Sequence, residues 1–220
     1  MRFQDAAQDA RAITYASIQS EPVVAEAAEL LADASAAQRL LARAVMNGET
    51  LDPEGWRRMF PTLFAEDSSP EGRRRSEDIL RVSLSIADRG DEVRNQLRGA
   101  LVESITEILL RRRMGPGVRR ERRVLFDGVR AEIHPYDVTV ELAGAYAAFD
   151  CKWGARGINA DVLHQLEDAR SHAADEGEQL VVALVVFDAV RSCRVRLARQ
   201  TAPHKRTALL ALENLDALAR

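Results

Sequence analysis

Ile133-His-Pro-Tyr-Asp137-Val-Thr-Val-Glu-Leu142, followed past Ala143-Gly144 by Ala147-Ala-Phe-Asp150-Cys151-Lys152-Trp153, is the stretch whose reading decides the fold. Both segments alternate at period two, which predicts strands over Ile133 to Leu142 and Ala147 to Trp153 with a turn at Ala143-Gly144. In the first strand Val138, Val140 and Leu142 point one way while Asp137, Thr139 and Glu141 point the other. In the second, Phe149, Cys151 and Trp153 share a face and leave Asp150 and Lys152 together on the opposite one. Cys151 therefore reads as a core thiol and not a nucleophile. A two-residue turn at Ala143-Gly144, or a symmetrical four-residue loop around it, pairs Leu142 with Ala145 and sets Asp137 across from Asp150. Cβ atoms of such a pair lie roughly 4.5–5.5 Å apart, where like charges destabilise. Lys152 offsets part of that repulsion. A divalent cation, which prefers oxygen ligands, offsets it more completely.

Outward from the hairpin, the spacing Val93, Leu97, Leu101, Ile105, Ile108 predicts a helix from Asp91 to Arg113. A first strand is expected over Arg123 to Phe126, ending in a turn at Asp127-Gly128. After the hairpin, Asn159 is the expected N-cap of a helix reaching about Glu176, with the stripe Val162, Leu166, Ala169, Ala173 and a stop at Gly177. Leu180 to Phe187 is a continuous apolar run of the kind found in strands buried on both faces, joined to the preceding strand by a right-handed crossover. A closing helix is expected from Pro203 onward. Residues 1–90 are alanine-rich and broken by Pro22, Asn47-Gly48, Pro53, Pro61 and Ser69-Pro70, with Val24 to Met46 as the clearest helical element. The expected organisation is an α-helical accessory subdomain over 1–90 and an α/β domain over 91–220.

Composition bounds the function classes. The chain has 220 residues, 46% hydrophobic and 30% charged, the balance of a globular domain with a sizeable core. The run Leu180 to Phe187 falls far short of the ~18 apolar residues of a membrane span. Asp5 stands where a signal peptide needs an apolar stretch, so a cytoplasmic protein is expected. Cys151 and Cys193 have no zinc-like spacing. A net charge of −3 makes no global case for nucleic-acid binding, so such a case must be local. Lysine occurs only at Lys152 and Lys205 among 31 basic residues, so an ordinary surface cation in this chain is an arginine.

His-Pro-Tyr-Asp137, followed by Asp150-Cys151-Lys152, resembles the signature of the PD-(D/E)xK nucleases, the restriction endonuclease-like superfamily. The resemblance covers about 100 residues, and Tyr136 departs from the pattern by separating Pro135 from Asp137. It implies a core of helix, three strands, helix and strand, which the predicted order from Asp91 to Phe187 follows. It further implies Mg²⁺ (or Mn²⁺) held by Asp137, Asp150, the backbone carbonyl of Cys151 and Glu103 on the first helix, with Glu107 as the alternative glutamate. Lys152 would orient or deprotonate the nucleophile, a task that suits a compact ammonium better than a guanidinium. Gln165, on the helix after the motif, would orient water or phosphate. The implied activity is phosphodiester hydrolysis, with DNA as substrate and an endonuclease of restriction or anti-phage defence as the setting. A non-cleaving nucleic-acid-binding or scaffold protein, working with a partner or a second copy through the N-terminal helices, is the rival, and an RNA-directed nuclease another. His134, His164 and His172 read as surface residues. Arg119, Arg120, Arg122 and Arg123, in a loop with Arg111 to Arg113, are the expected phosphate contacts.

Overall fold

The computed structural model describes residues 1–6, 10–67, 69–126, 129–130, 135–142, 144–202 and 206–220. The expected turns at Asp127-Gly128 and at Ala143, the residues Ile133 and His134, and Pro203 lie outside them. The chain divides into two compact units, Met1–Ala12 with Thr106–Arg220, and Ile13–Ile105. Its strands are β1 (Arg2–Asp5), β2 (Val118–Phe126), β3 (Val129–Arg130), β4 (Tyr136–Leu142), β5 (Ala145–Lys152), β6 (Leu180–Val186) and β7 (Ala208–Ala211). Its helices are α1 (Ala10–Gln19), α2 (Pro22–Ala32), α3 (Ala36–Asn47), α4 (Pro53–Met59), α5 (Pro61–Phe64), α6 (Pro70–Ala87), α7 (Asp91–Met114), α8 (Ala160–Asp175) and α9 (Val190–Ala198).

The α/β unit holds one mixed sheet in the order β1-β2-β4-β5-β6-β7, with β3 paired to β2. β4 and β5 form the hairpin in the register read from the sequence, Leu142 opposite Ala145 and Val138 opposite Phe149. Gly144 takes φ 87° in its turn, a conformation open to glycine at no steric cost. β5 then runs parallel to β6, and β6 parallel to β7. α8 makes the β5-to-β6 connection. Asn159 caps it by accepting from the Val162 amide at 3.0 Å, and Gly177 follows it at φ 73°. Its buried stripe is Leu163, Leu166, Ala169 and Ala173, packed with Leu180, Val182, Leu184 and Val186 of β6 in one apolar core. Leu163 replaces the expected Val162, which is only half-buried: β6 sits one position round the wheel from the predicted stripe.

Several expectations change. The N-terminal residues are not purely helical, because β1 pairs antiparallel with β2 and buries Phe3 against Val124. The boundary expected at 90/91 falls at Ile105–Thr106, inside the uninterrupted helix α7, whose first turns belong to the helical unit. Val24 to Met46 is two helices. Ser35 accepts from the Gln38 amide and Gln38 accepts from the Ser35 amide, a reciprocal capping box that starts α3 afresh, and the buried Arg39 satisfies the Leu31 and Ala32 carbonyls at the end of α2. The arginine-rich segment after α7 is a strand over nine residues and not a loop. The expected closing helix gives way to β7 and a short 3₁₀ turn at Leu215–Leu218, because the free edge of β6 offers backbone partners to an Ala-Leu segment of either propensity. Among the described residues no helix is long and apolar enough to cross a membrane.

Within the helical unit, α2, α3 and α6 bury Val24, Leu31, Leu41, Val45, Ile79 and Ile86 completely. In the α/β unit Leu166 is equally inaccessible. Leu166→Ala should lower unfolding free energy by about 2–5 kcal/mol in urea titration, as cavity-forming substitutions do; a loss under ~1 kcal/mol would show that α8 does not hold the sheet.

Candidate functional site

The β4–β5 ladder ends at Val138 and Phe149, one step before Asp137 and Asp150. There the backbone partnership is replaced by a side chain: the Cys151 amide donates to Asp137 Oδ2 at 2.5 Å. The N–H and C=O of one strand residue point to the same side, so the Cys151 carbonyl also faces β4. The Lys152 carbonyl faces the other way and accepts from the Phe187 amide at 2.9 Å. Cys151 turns its thiol away from the acids, toward Thr106 Oγ1 at 3.5 Å, as a core residue should.

Lys152 Nζ donates to Asp150 Oδ1 at 2.7 Å, with the side chains 27% and 14% exposed. Asp150 Oδ2 is buried and has no hydrogen-bond partner among the described residues. That atom is an acceptor without a donor, which in a protein interior carries a penalty of about 1–3 kcal/mol or more. Burial acts to lower the Lys152 pKa, yet Asp150 and Asp137 together outweigh it and raise the ammonium above its ordinary value. Both carboxylates therefore act on one lysine.

The stem of Lys152 is held by the turn that follows β5. A Cβ placed on Gly157 would stand 2.9 Å from Lys152 Cδ and 3.0 Å from its Cβ and Cγ, so glycine there leaves room for the stem. The turn is fixed from behind, because Asp188, just past β6, accepts from the Ala155 amide at 2.9 Å. Trp153 stacks on Phe187 with ring centroids 5.1 Å apart. Gly157 and Asp188 were not singled out in the sequence; their signal, a glycine four to five residues beyond the lysine and an acid at the end of the next strand, is too common to stand out.

The remaining predicted residues fall in different places. Gln165 is half-buried on α8, and its carbonyl accepts from the Tyr136 hydroxyl at 3.2 Å, which sets this part of α8 beside the start of β4. Glu103 belongs to the helical unit, where it is buried and accepts from Tyr15 at 2.6 Å and Gln19 at 2.5 Å. Glu107 is paired with Arg111 at 2.8 Å and with Arg120. Of the four expected phosphate-binding arginines, Arg120 is thus occupied, and Arg122 pairs with Asp5 at 3.1 Å and Glu141 at 2.7 Å while lying over the Phe3 ring. Arg119 is exposed and Arg123 half-buried. His164 and His172 are exposed, and His134 lies outside the described residues. Glu121 has the backbone of a strained position, φ 50° within β2, and burial raises its pKa.

The donor set fits a hard divalent cation in one respect and limits it in another. Two carboxylates, one with an orphaned oxygen, and a strand-end carbonyl are oxygen ligands of the type Mg²⁺ takes, and Mg²⁺ is commonly held by one or two carboxylates with waters completing its shell. Among the described residues, no group of three or more His, Cys, Asp or Glu side chains is placed to hold a metal.

No protein-family model matches the chain, and no curated protein does. Among solved structures it is similar to protein VC1899 from Vibrio cholerae, at 19% sequence identity and a TM-score of 0.50. The match covers 91% of this chain and 55% of the other, so the chain spans about half the length of that protein. At this identity the likeness concerns the fold alone.

Two measurements on the metal-free protein check the site. With Lys205→Arg, Lys152 is the sole lysine and its ε-carbon NMR signal reports its titration alone. Its pKa should lie above the unfolded value, so the pair stabilises the fold fully below that value and loses this contribution as pH rises through the folded pKa. Asp150→Asn should lower the Lys152 pKa by about 1–3 units; an unmoved pKa would dissolve the proposed coupling. Gly157→Ala should also lower it by pushing the lysine stem aside, and an unchanged spectrum would show that the turn yields instead.

Proposed function

We propose that the chain is a metal-dependent nuclease with a restriction endonuclease-like core, hydrolysing phosphodiester bonds at the β4–β5 strand end. The observation that carries this reading is the buried Asp150 Oδ2, without a hydrogen-bond partner among the described residues, on a carboxylate that shares Lys152 with Asp137 as a counter-charge. Element order from α7 through β2, β4, β5, α8 and β6 supports the same reading.

Asp137, Asp150 and the Cys151 carbonyl would hold Mg²⁺ or Mn²⁺. The ion supplies charge neutralisation at the phosphoryl oxygens and lowers the pKa of water, which is what metal catalysis contributes to phosphate chemistry. Asp137 is oriented for this by the Cys151 amide. Lys152, held as an ammonium by the two acids, donates to a water or a phosphoryl oxygen and stabilises negative charge; in this state it has no lone pair with which to act as a base. Gln165 stands on the element next to β4 and orients water or phosphate in this scheme. Glu103 would have to release Tyr15 and Gln19 before it could bind a cation, so the scheme does not depend on it. DNA is the first substrate to test and RNA the second. The engagement of Glu103 by Tyr15 and Gln19 favours one rival, a nucleic-acid-binding protein that does not cut.

Incubation of the protein with plasmid, single-stranded DNA and RNA in Mg²⁺, Mn²⁺ or EDTA, beside Asp150→Ala and Lys152→Ala, separates these readings. Cleavage should require the metal and fall by about 10²-fold or more in each variant, the order seen when a group aimed at transition-state charge is removed. Cleavage that survives both substitutions would refute the site.

A further inference from the structure

We propose that the arginine face of α9, together with Arg156 on the turn over Lys152, is the surface that holds the phosphodiester backbone of a nucleic acid at this site; the inference rests on the nuclease reading and names where its substrate lies. Val190–Ala198 carries Arg191, Arg194 and Arg196 with no acidic residue, and Arg199 follows at its C-cap. Cys193 is fully buried and faces the core. Helical spacing then turns Arg191, Arg194, Val195 and Arg199 outward, and all four are exposed. Arg191, Ser192, Val195, Arg196 and Arg199 line a groove of about 320 Å³.

Charge balance separates this face from Arg120 and Arg122, the paired arginines of β2. Arg120 and Arg122 of β2 are neutralised by Glu107, Asp5 and Glu141. The side chains of Arg156, Arg191, Arg194 and Arg199 form no ion pair or hydrogen bond among the described residues. Two acids beside α9 accept from backbone amides, Asp188 from Ala155 and Ala189, and Glu213 from Val190. Neither of them neutralises an arginine through these bonds. Four uncompensated guanidiniums on one small unit repel one another, and a polyanion relieves that repulsion while releasing its own counterions.

Position ties the face to the chemistry. Arg196 Nε donates to the Ile158 carbonyl at 2.9 Å, bolting α9 to the segment Ala155–Gly157. Gly157 of that segment lies against the Lys152 stem, and Arg156 is its exposed neighbour. A strand laid along α9 therefore passes over Arg156 and reaches the end of β5, where Lys152 and Asp150 stand. Guanidinium groups suit this task because their planar fork matches phosphate oxygens in pairs.

The test is fluorescence anisotropy with a short labelled DNA duplex, the matching single strand and the matching RNA, in EDTA so that nothing is cut. Arg191→Gln with Arg194→Gln and Arg199→Gln should weaken binding about ten-fold or more and reduce the slope of log K against log salt by roughly 0.9 per lost contact. Arg73→Gln with Arg74→Gln and Arg89→Gln in the helical unit removes the same charge and should leave both nearly unchanged. Circular dichroism confirms that each triple variant is folded, since all six positions are on helix or turn surfaces. Equal weakening by the two triples, or no binding of any probe by the unmodified chain, would overturn the assignment. If cleavage persists in Asp150→Ala while binding still depends on α9, the nuclease site falls and the binding surface stands.

Discussion

Asp137 and Asp150 flank the open end of the β4–β5 ladder and both act on Lys152, and much of what surrounds them can be understood as a response to that concentration of charge. At an effective dielectric of about 20, two charges 4 Å apart interact by roughly 4 kcal/mol, a large fraction of a domain's net stability. The protein answers it in three ways. Asp137 takes the Cys151 amide, Asp150 takes the Lys152 ammonium, and the Lys152 pKa rises because both acids favour its charged form. Among the described residues one oxygen, Asp150 Oδ2, remains without a hydrogen-bond partner.

The scaffold converts this local charge problem into fixed geometry. β5 and β6 run parallel, so their carboxyl ends lie side by side, and the connections leaving them meet there. Asp188 uses that adjacency to hold the turn after β5, and the turn in turn confines the Lys152 stem. The Tyr136 hydroxyl, reaching the Gln165 carbonyl, fixes α8 to the start of β4 one residue from Asp137. Backbone groups and small residues do most of this work. For that reason it left little trace in the pattern of charged residues.

The hairpin was legible because period-two alternation and a glycine turn determine register together: once Leu142 meets Ala145, every side chain's face follows. The cap at Asn159 and the stop at Gly177 were legible for a similar reason, each being a local device with its own chemistry. β1 and β7 were not. Four residues are too few to show a period, and Ala208–Ala211 consists of helix-favouring residues that take up a strand because the edge of β6 is present to pair with them. The single helix expected over Val24 to Met46 failed on a signal that was available, since Ser35 and Gln38 have the spacing of a capping box. Glu103 shows a different limit: its place on α7 was readable, but its partners Tyr15 and Gln19 lie more than eighty residues away in sequence.

Arginine content misleads for the same reason that lysine content informs. With lysine confined to two positions, Lys152 stood out at once, whereas a run of arginines in a chain rich in them says little about which are available to a ligand. Availability depends on the acids that folding brings alongside. Within the densest run, on β2, Arg120 and Arg122 are matched by Glu107 of α7, Asp5 of β1 and Glu141 of β4. The sparser set on α9 and the neighbouring turn is left unmatched, and two acids beside it accept from backbone amides. A basic surface that binds phosphate must be basic after its internal pairs are formed, and by that criterion the face beside Lys152 qualifies where Arg120 and Arg122 do not.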